Sequence, residues 1–224
     1  MGTCCGGQDE LNEVLKSVKE RAPEIGNECI LTQKAIDATK EKLLKERKEA
    51  IENAIANNSN NEDIKGILKT YNLKELEIEK DYFMNEVNKM HNLYELGLDL
   101  SKPAKDATVK QIKKAKCSKC CFSATVISHV EKYSPKEFFN SKFGKPLKTA
   151  IEKEGMSEAI LIDKKNELLE DRKKRREEEK TMYNLEQNEF PPDDDLNIDT
   201  EKIYEDIFED YLNQNKEYEN FTLG

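Results

Sequence analysis

Leu11, Val14, Leu15 and Val18 recur at i, i+3, i+4 and i+7 in the stretch DELNEVLKSVKERAP, with charged side chains between them. Apolar residues spaced at threes and fours among Lys and Glu run through most of the chain, the mark of helices that bury one stripe and solvate the rest. Ile30, Leu31, Ile36, Leu43, Leu44, Ile51 and Ile55 extend the pattern over residues 24–57, and Leu76, Tyr82, Phe83, Val87, Met90 and Tyr94 carry it through 73–96. Only 9 Gly and 6 Pro punctuate 224 residues, too little turn chemistry for a many-stranded sheet. Hydrophobic residues make up 36% of the chain. That is below the roughly 45–50% of an ordinary domain, so one large core is not expected. The pattern predicts an all-α protein of several amphipathic helices, partly extended or coiled-coil-like, with an acidic C-terminal helix.

The breaks are read from capping and turn residues. Pro23 is expected to stop the first helix, and NNSNN at 57–61 to form a loop. Asn72 is expected to cap a helix that ends near Gly97, and Ser101-Lys102-Pro103 to turn into a basic helix reaching Lys116. Ser134 followed by Pro135 reads as an N-cap with proline at the first helical position, and FGKP at 143–146 as a break. EDRKKRREEEK falls within a charged helix predicted over 158–188. Three regions follow: residues 1–7, a helical body over 8–188, and an acidic linker and terminal helix over 189–224.

Charge is unevenly distributed. From Glu186 onward there are 13 acidic and 2 basic residues, whereas residues 1–185 carry 35 basic against 33 acidic. Between Lys102 and Lys119 there are seven Lys and one Asp. An acidic tail of this size competes for those lysines, so nucleic acid is not an expected partner. No run approaches the ~18–20 apolar residues that a spanning helix needs, and no charged start leads into an apolar signal core. The expected compartment is cytosolic and reducing, with the six Cys as thiols, acyl acceptors or metal ligands.

The chain begins MGTCCGGQDE. A glycine exposed by removal of Met1 is the substrate of myristoyl transfer, whose signal is M-G-x-x-x-[ST]; here Gly2 fits, and Gly6 stands where the signal has Ser or Thr. Cys4 and Cys5 lie where a membrane-parked chain is S-palmitoylated. The start resembles that of N-terminally dual-acylated peripheral membrane proteins, over about six residues, and no fold-level family is recognised. The resemblance implies lipidation at Gly2, Cys4 and Cys5 and a peripheral, lipid-anchored protein on the cytoplasmic face of a membrane. One myristoyl chain partitions only marginally, on the order of 10⁴ M⁻¹, and a palmitoyl chain adds ~0.8 kcal/mol per buried CH₂. Lys110, Lys113, Lys114 and Lys116 are candidates for lipid headgroups, at ~1 kcal/mol per basic residue close to an anionic surface.

Cys117, Cys120 and Cys121, with His129 eight residues on, outline half of a zinc site, since thiolates at i and i+3 can converge on one ion. Acylation beside the basic block, or plain thiols, fit the same residues, and no cofactor is expected. Cys29 lies on an apolar helix face, as a small hydrophobe would.

Catalytic patterns are missing: there is no GxGxxG, HExxH or GxSxG, and FGKPLKT lacks the glycine-rich run of a phosphate loop. Calcium-loop readings starting at Asp193 or Asp195 lack the glycine at position six. With no catalytic residues in view, a non-enzyme is expected. Ile203, Tyr204, Ile207, Phe208 and Tyr211 form an apolar stripe at helical spacing in an acidic surround, suited to a protein partner's groove or to the chain's own body. The expectation is a membrane-anchored helical scaffold or adaptor, with self-association open. Alternatives are a structural accessory subunit of a large assembly and a membrane-remodelling subunit that resembles those of ESCRT-III. Two departures stand against the last: residues 8–57 hold 9 basic and 11 acidic residues rather than a strongly basic set, and Pro23 is expected to break the long hairpin.

Overall fold

A computed structural model describes residues 6–114 and 122–182, and those residues are all-α, with no strand among them. Six helices follow in order: α1 (Gly6–Ala56), α2 (Asn61–Lys114), α3 (Phe122–Lys132), α4 (Pro135–Asn140), α5 (Lys145–Lys153) and α6 (Glu158–Met182). They divide into two compact units. The first holds α1 up to Glu28 and the stretch Asn88–Ser157; the second holds Cys29–Val87 and α6.

The Asn-rich run between α1 and α2 is a built turn. Asn58 takes a left-handed conformation (φ 53°), which asparagine tolerates better than most residues. Its N–H donates to the Ile55 carbonyl at 3.0 Å and that of Ser59 to Ala54 at 2.9 Å, the bond pair of a Schellman C-cap. Asn60 then caps α2, its Oδ1 accepting from the Asp63 N–H at 2.9 Å.

The two long helices run antiparallel. In the first unit Glu10 meets Lys110 and Arg21 meets Asp99, eleven residues up α1 for eleven back along α2. In the second unit Asp37 meets Tyr82 and Arg47 meets Asn72, ten up for ten back.

The breaks expected at Pro23 and over Gly97–Pro103 do not occur: Pro23 lies inside α1, and Gly97 and Pro103 lie inside α2. A helical proline frees the carbonyl four residues earlier, at a cost of about 3 kcal/mol. The freed carbonyls are those of Lys19 and Asp99, both exposed residues, where solvent can take the place of the lost donor. Val18 and Ala22 before Pro23 with Ile25 after it, and Leu100 and Ala104 on either side of Pro103, hold both helices to the core and offset the loss. Asn72 is likewise not a cap; it is buried within α2 and accepts from Arg47.

In the first unit, α3, α4 and α5 pack on the hairpin through Ile127, Val130, Phe138, Phe139, Leu147 and Ile151. The Ser134 cap forms as the sequence predicts, with proline at the start of α4. Ser134 Oγ accepts from the Glu137 N–H at 3.2 Å while the Glu137 carboxylate accepts from the Ser134 N–H at 2.7 Å. Hydrogen bonding of the carboxylate to Ser134, through its N–H first and its hydroxyl second, holds the Glu137 carboxyl below the usual glutamate range. A folded-state pKa below the unfolded one adds stability that is present above the ordinary glutamate pKa and lost as pH falls through the lowered value. Ser134→Ala should therefore cost about 1 kcal/mol near neutral pH in thermal melts, and less in acid.

In the second unit Ile51, Ala54, Ile64 and Leu68 form an apolar cluster beside the turn. Farther from the turn Leu43, Leu76, Ile78, Phe83, Leu161 and Leu168 are buried, and the charged Arg47, Glu75 and Glu79 are buried in the same unit.

Candidate functional site

Three features of the described residues bear on function, and each lies within one unit. The first is the basic end of α2. Lys110 Nζ lies 2.9 Å from Glu10 Oε2, and Lys113 Nζ lies 2.7 Å from Glu131 Oε1. The Glu10 carboxylate raises the Lys110 ammonium above its ordinary pKa. Lys105 donates to the Tyr133 carbonyl at 2.7 Å and to that of Glu131 at 3.4 Å, satisfying carbonyls at the C-terminal end of α3. Much of the lysine block is thus committed to neighbouring helices. The charged ends of Lys110 and Lys113 still reach solvent, with side chains 57% and 54% exposed, and Lys114 is exposed too.

The second feature is a groove of about 450 Å³ between α1 and α5. Leu15, Val18, Pro146 and Ala150 give it an apolar lining, and Lys16, Lys19 and Lys153 stand at its edge.

The third is a ladder of ion pairs inside the second unit. Leu161, Leu168, Arg172, Arg175 and Glu179 follow one another on α6 at spacings of seven, four, three and four, so the apolar seam passes into charge without leaving its face. Opposite lie Asn72, Glu75, Glu79 and Tyr82 of α2 at the same threes and fours, with Asp37, Lys40 and Arg47 on α1. Arg47 donates to Asn72 Oδ1 at 2.5 Å, to Glu75 Oε2 at 3.5 Å and to Glu179 Oε2 at 2.7 Å, with 4% of its side chain exposed. Arg175 closes on the other oxygen of Glu75. Arg172 grips both oxygens of Glu79 through Nε and Nη2, at 3.3 and 2.5 Å. Burial pushes the Glu79 carboxyl up against the pull of Arg172, and it lowers Arg175 to about 10.

A polar cap finishes the ladder. Tyr82 donates to Asp37 Oδ1 at 2.6 Å, which holds that carboxyl below its ordinary value. Burial and the Asp37 charge raise the Tyr82 phenol in turn. The ammoniums of Lys40 and Lys164 each lie 5.4 Å from the Tyr82 ring centroid, a cation–π arrangement.

Residues 115–121 and 183–224 lie outside the described structure, as do the first five. The lipidation candidates Gly2, Cys4 and Cys5, the headgroup candidate Lys116, the thiols Cys117, Cys120 and Cys121, and the stripe Ile203, Tyr204, Ile207, Phe208 and Tyr211 all fall there. Of the zinc candidates only His129 is described; it is exposed on α3 and meets the Tyr133 ring edge-on at 4.9 Å. No group of three His, Cys, Asp or Glu among the described residues could hold a metal ion. Cys29 is not the small hydrophobe its helix face suggested. It is half-buried among polar groups, with Asn85 Nδ2 3.3 Å from its sulfur and its thiol directed at Glu86.

The ladder escaped sequence reasoning because EDRKKRREEEK looks like a solvated run. Its signal is phase: Arg172, Arg175 and Glu179 keep the register of Leu161 and Leu168, whereas Lys173, Lys174 and Glu178 fall outside it and are exposed. Comparison of the chain with protein-family models, with curated proteins and with solved structures returns no match.

Proposed function

We propose that this protein is a lipid-anchored helical adaptor, without catalytic activity, that works at the cytoplasmic face of a membrane. The observation that carries the reading is the Glu10–Lys110 ion pair. Because α1 and α2 are antiparallel, the first turn of α1 and the last turn of α2 extend beyond that pair toward the same end. Lys113 and Lys114 close α2 there, and α1 starts there at Gly6. Gly2 precedes Gly6 by four residues, at most about 14 Å of extended chain. Acyl chains on Gly2, Cys4 and Cys5 and the exposed ammoniums of α2 then meet one lipid surface, and two weak signals add. No helix among the described residues is long and apolar enough to cross a membrane, so attachment by the described helices is at the surface. The buried carboxylates Glu75 and Glu79 are occupied by arginines, which suits a structural role better than acid–base work.

Intact-mass measurement and fractionation of protein from its own cell test the proposal. The expected result is a gain of one fourteen-carbon acyl chain on Gly2 plus hydroxylamine-labile additions. Gly2→Ala should move the protein to the soluble fraction, and Cys4→Ser with Cys5→Ser should leave only weak, reversible association. A bare or acetylated N-terminus with unmodified thiols, or a Gly2→Ala distribution like that of the parent, would reject it in favour of an accessory subunit of a large assembly.

One observation favours the membrane-remodelling alternative. The hairpin runs through Pro23 unbroken, removing one of the two departures from ESCRT-III subunits, while the balanced charge of residues 8–57 still departs from them. Polymers or tubulated liposomes formed by purified protein would support that reading, and monomers on liposomes would exclude it.

A further inference from the structure

The groove between α1 and α5 has the features of a helix receptor. Its walls are helical, Leu15 and Val18 on one side and Pro146 and Ala150 on the other. Ala150 is small enough to let a third helix approach closely. Lys19 and Lys153 have no carboxylate within ion-pair distance among the described residues. Lys16 has only Glu20, at 3.5 Å and more than 60% exposed on both sides, a pair that contributes little. An apolar trough lined by three lysines against one carboxylate, Glu154, favours an occupant with one apolar face and acidic flanks.

The chain carries such a segment. Ile203, Tyr204, Ile207, Phe208 and Tyr211 supply the apolar face, and Glu205, Asp206, Glu209 and Asp210 fall between them. We infer that residues 203–212 dock into the α1–α5 groove of their own chain, with the apolar stripe on Leu15, Val18, Pro146 and Ala150 and the flanking carboxylates on Lys16, Lys19 and Lys153. A bilayer surface offers the lysines charge but cannot fill a concave trough. A foreign acidic helix competes with a segment of the same chain, for which binding is intramolecular. Twenty residues lie between Met182 and Ile203, up to about 70 Å of extended chain. Docking makes the stripe self-masking: a partner gains access to it only by displacing it from the groove. This rests on the adaptor reading in one respect, that the stripe is a contact element, and it is independent of lipid anchoring.

The test uses full-length, unacylated protein at low micromolar concentration, so it stands whatever the membrane result. A carbodiimide joins a lysine amine to a carboxylate as an amide, with loss of water, only where the two touch. The expected products link Lys19 or Lys153 to acids within 205–210, and in a mixture of ¹⁴N and ¹⁵N protein they join like-labelled residues. Ile207→Asp with Phe208→Asp should reduce those links at least tenfold while leaving the helical signal of the body unchanged. A labelled peptide covering 199–213 should then bind this double variant, at least tenfold more weakly when Lys19→Glu and Lys153→Glu are added. Missing links, links undiminished by the two aspartates, or peptide binding indifferent to the charge reversals would overturn the inference. Links found only between unlike labels would also overturn it, making a second copy the occupant.

Discussion

A Glu75→Ala chain should lose about 3–5 kcal/mol of the stability of its second unit, because the substitution removes the carboxylate that two guanidiniums share and leaves that of Arg175 without its ion-pair partner. Glu75 is 4% exposed at its side chain, with Arg47 on one oxygen and Arg175 on the other. Arg47 keeps Glu179 and Asn72, but Arg175, whose pKa burial already lowers, loses its closest partner. Hydrogen exchange followed peptide by peptide is the appropriate measurement, since the chain has two units and need not unfold in one step. Protection should fall in Cys29–Val87 and α6 and hold in α3–α5. Replacing Glu75, Arg47 and Arg175 together by leucine or methionine should recover most of the loss, as buried ion clusters commonly yield to apolar residues of similar volume. A loss below about 1 kcal/mol for Glu75→Ala would show the carboxylate to be hydrated and the ladder to be a surface feature.

Phe139→Ala should cost about 3–5 kcal/mol in the first unit. The ring is 1% exposed and lies in the centre of the core, 5.7 Å from Tyr94 in an edge-on arrangement. It also accounts for a glycine in the middle of α2. A Cβ on Gly97 would lie 2.6 Å from Phe139 Cε2, inside contact distance. Gly97→Ala should therefore destabilise the parent by about 1–3 kcal/mol through overpacking. In the Phe139→Ala background the obstruction is gone, and the same substitution should instead stabilise by up to about 1 kcal/mol, the helix propensity that glycine forgoes. This reversal of sign is the decisive readout of a double-mutant cycle. Destabilisation in both backgrounds would assign Gly97 to some other constraint.

Gly97 also shows where sequence reasoning stops. The helical class, the NNSNN turn and the Ser134 cap depend on local chemistry, spacing and capping residues, and all were legible. Pro23, Gly97 and Pro103 carry local signals that point the wrong way. Local cost is outweighed there by burial against residues distant in sequence, Phe139 above all, which no window around Gly97 contains. The charged ladder is hidden for the opposite reason: its residues look ordinary on a solvated helix, and only phase relative to Leu161 and Leu168 betrays them. Of the features bearing on function, the ammoniums at the end of α2 were anticipated as a block of like charge, though not their engagement by Glu10 and Glu131. The α1–α5 groove joins segments more than a hundred residues apart and has no trace in either.

The contacts between α1 and α2 pair residues at nearly matched distances from the Asn57–Asn60 turn, from Arg47 with Asn72 out to Glu10 with Lys110. Each arm therefore acts as a ruler for the other. An insertion of one residue in either arm rotates everything beyond it by about 100° and takes the pairs out of register; one residue added to α1 between Arg21 and the turn puts Leu11 opposite Lys110 and Ala22 opposite Asp99. Changes in length are tolerated only when both arms change together, so related chains of different size should show matched gains or losses on the two sides of the turn.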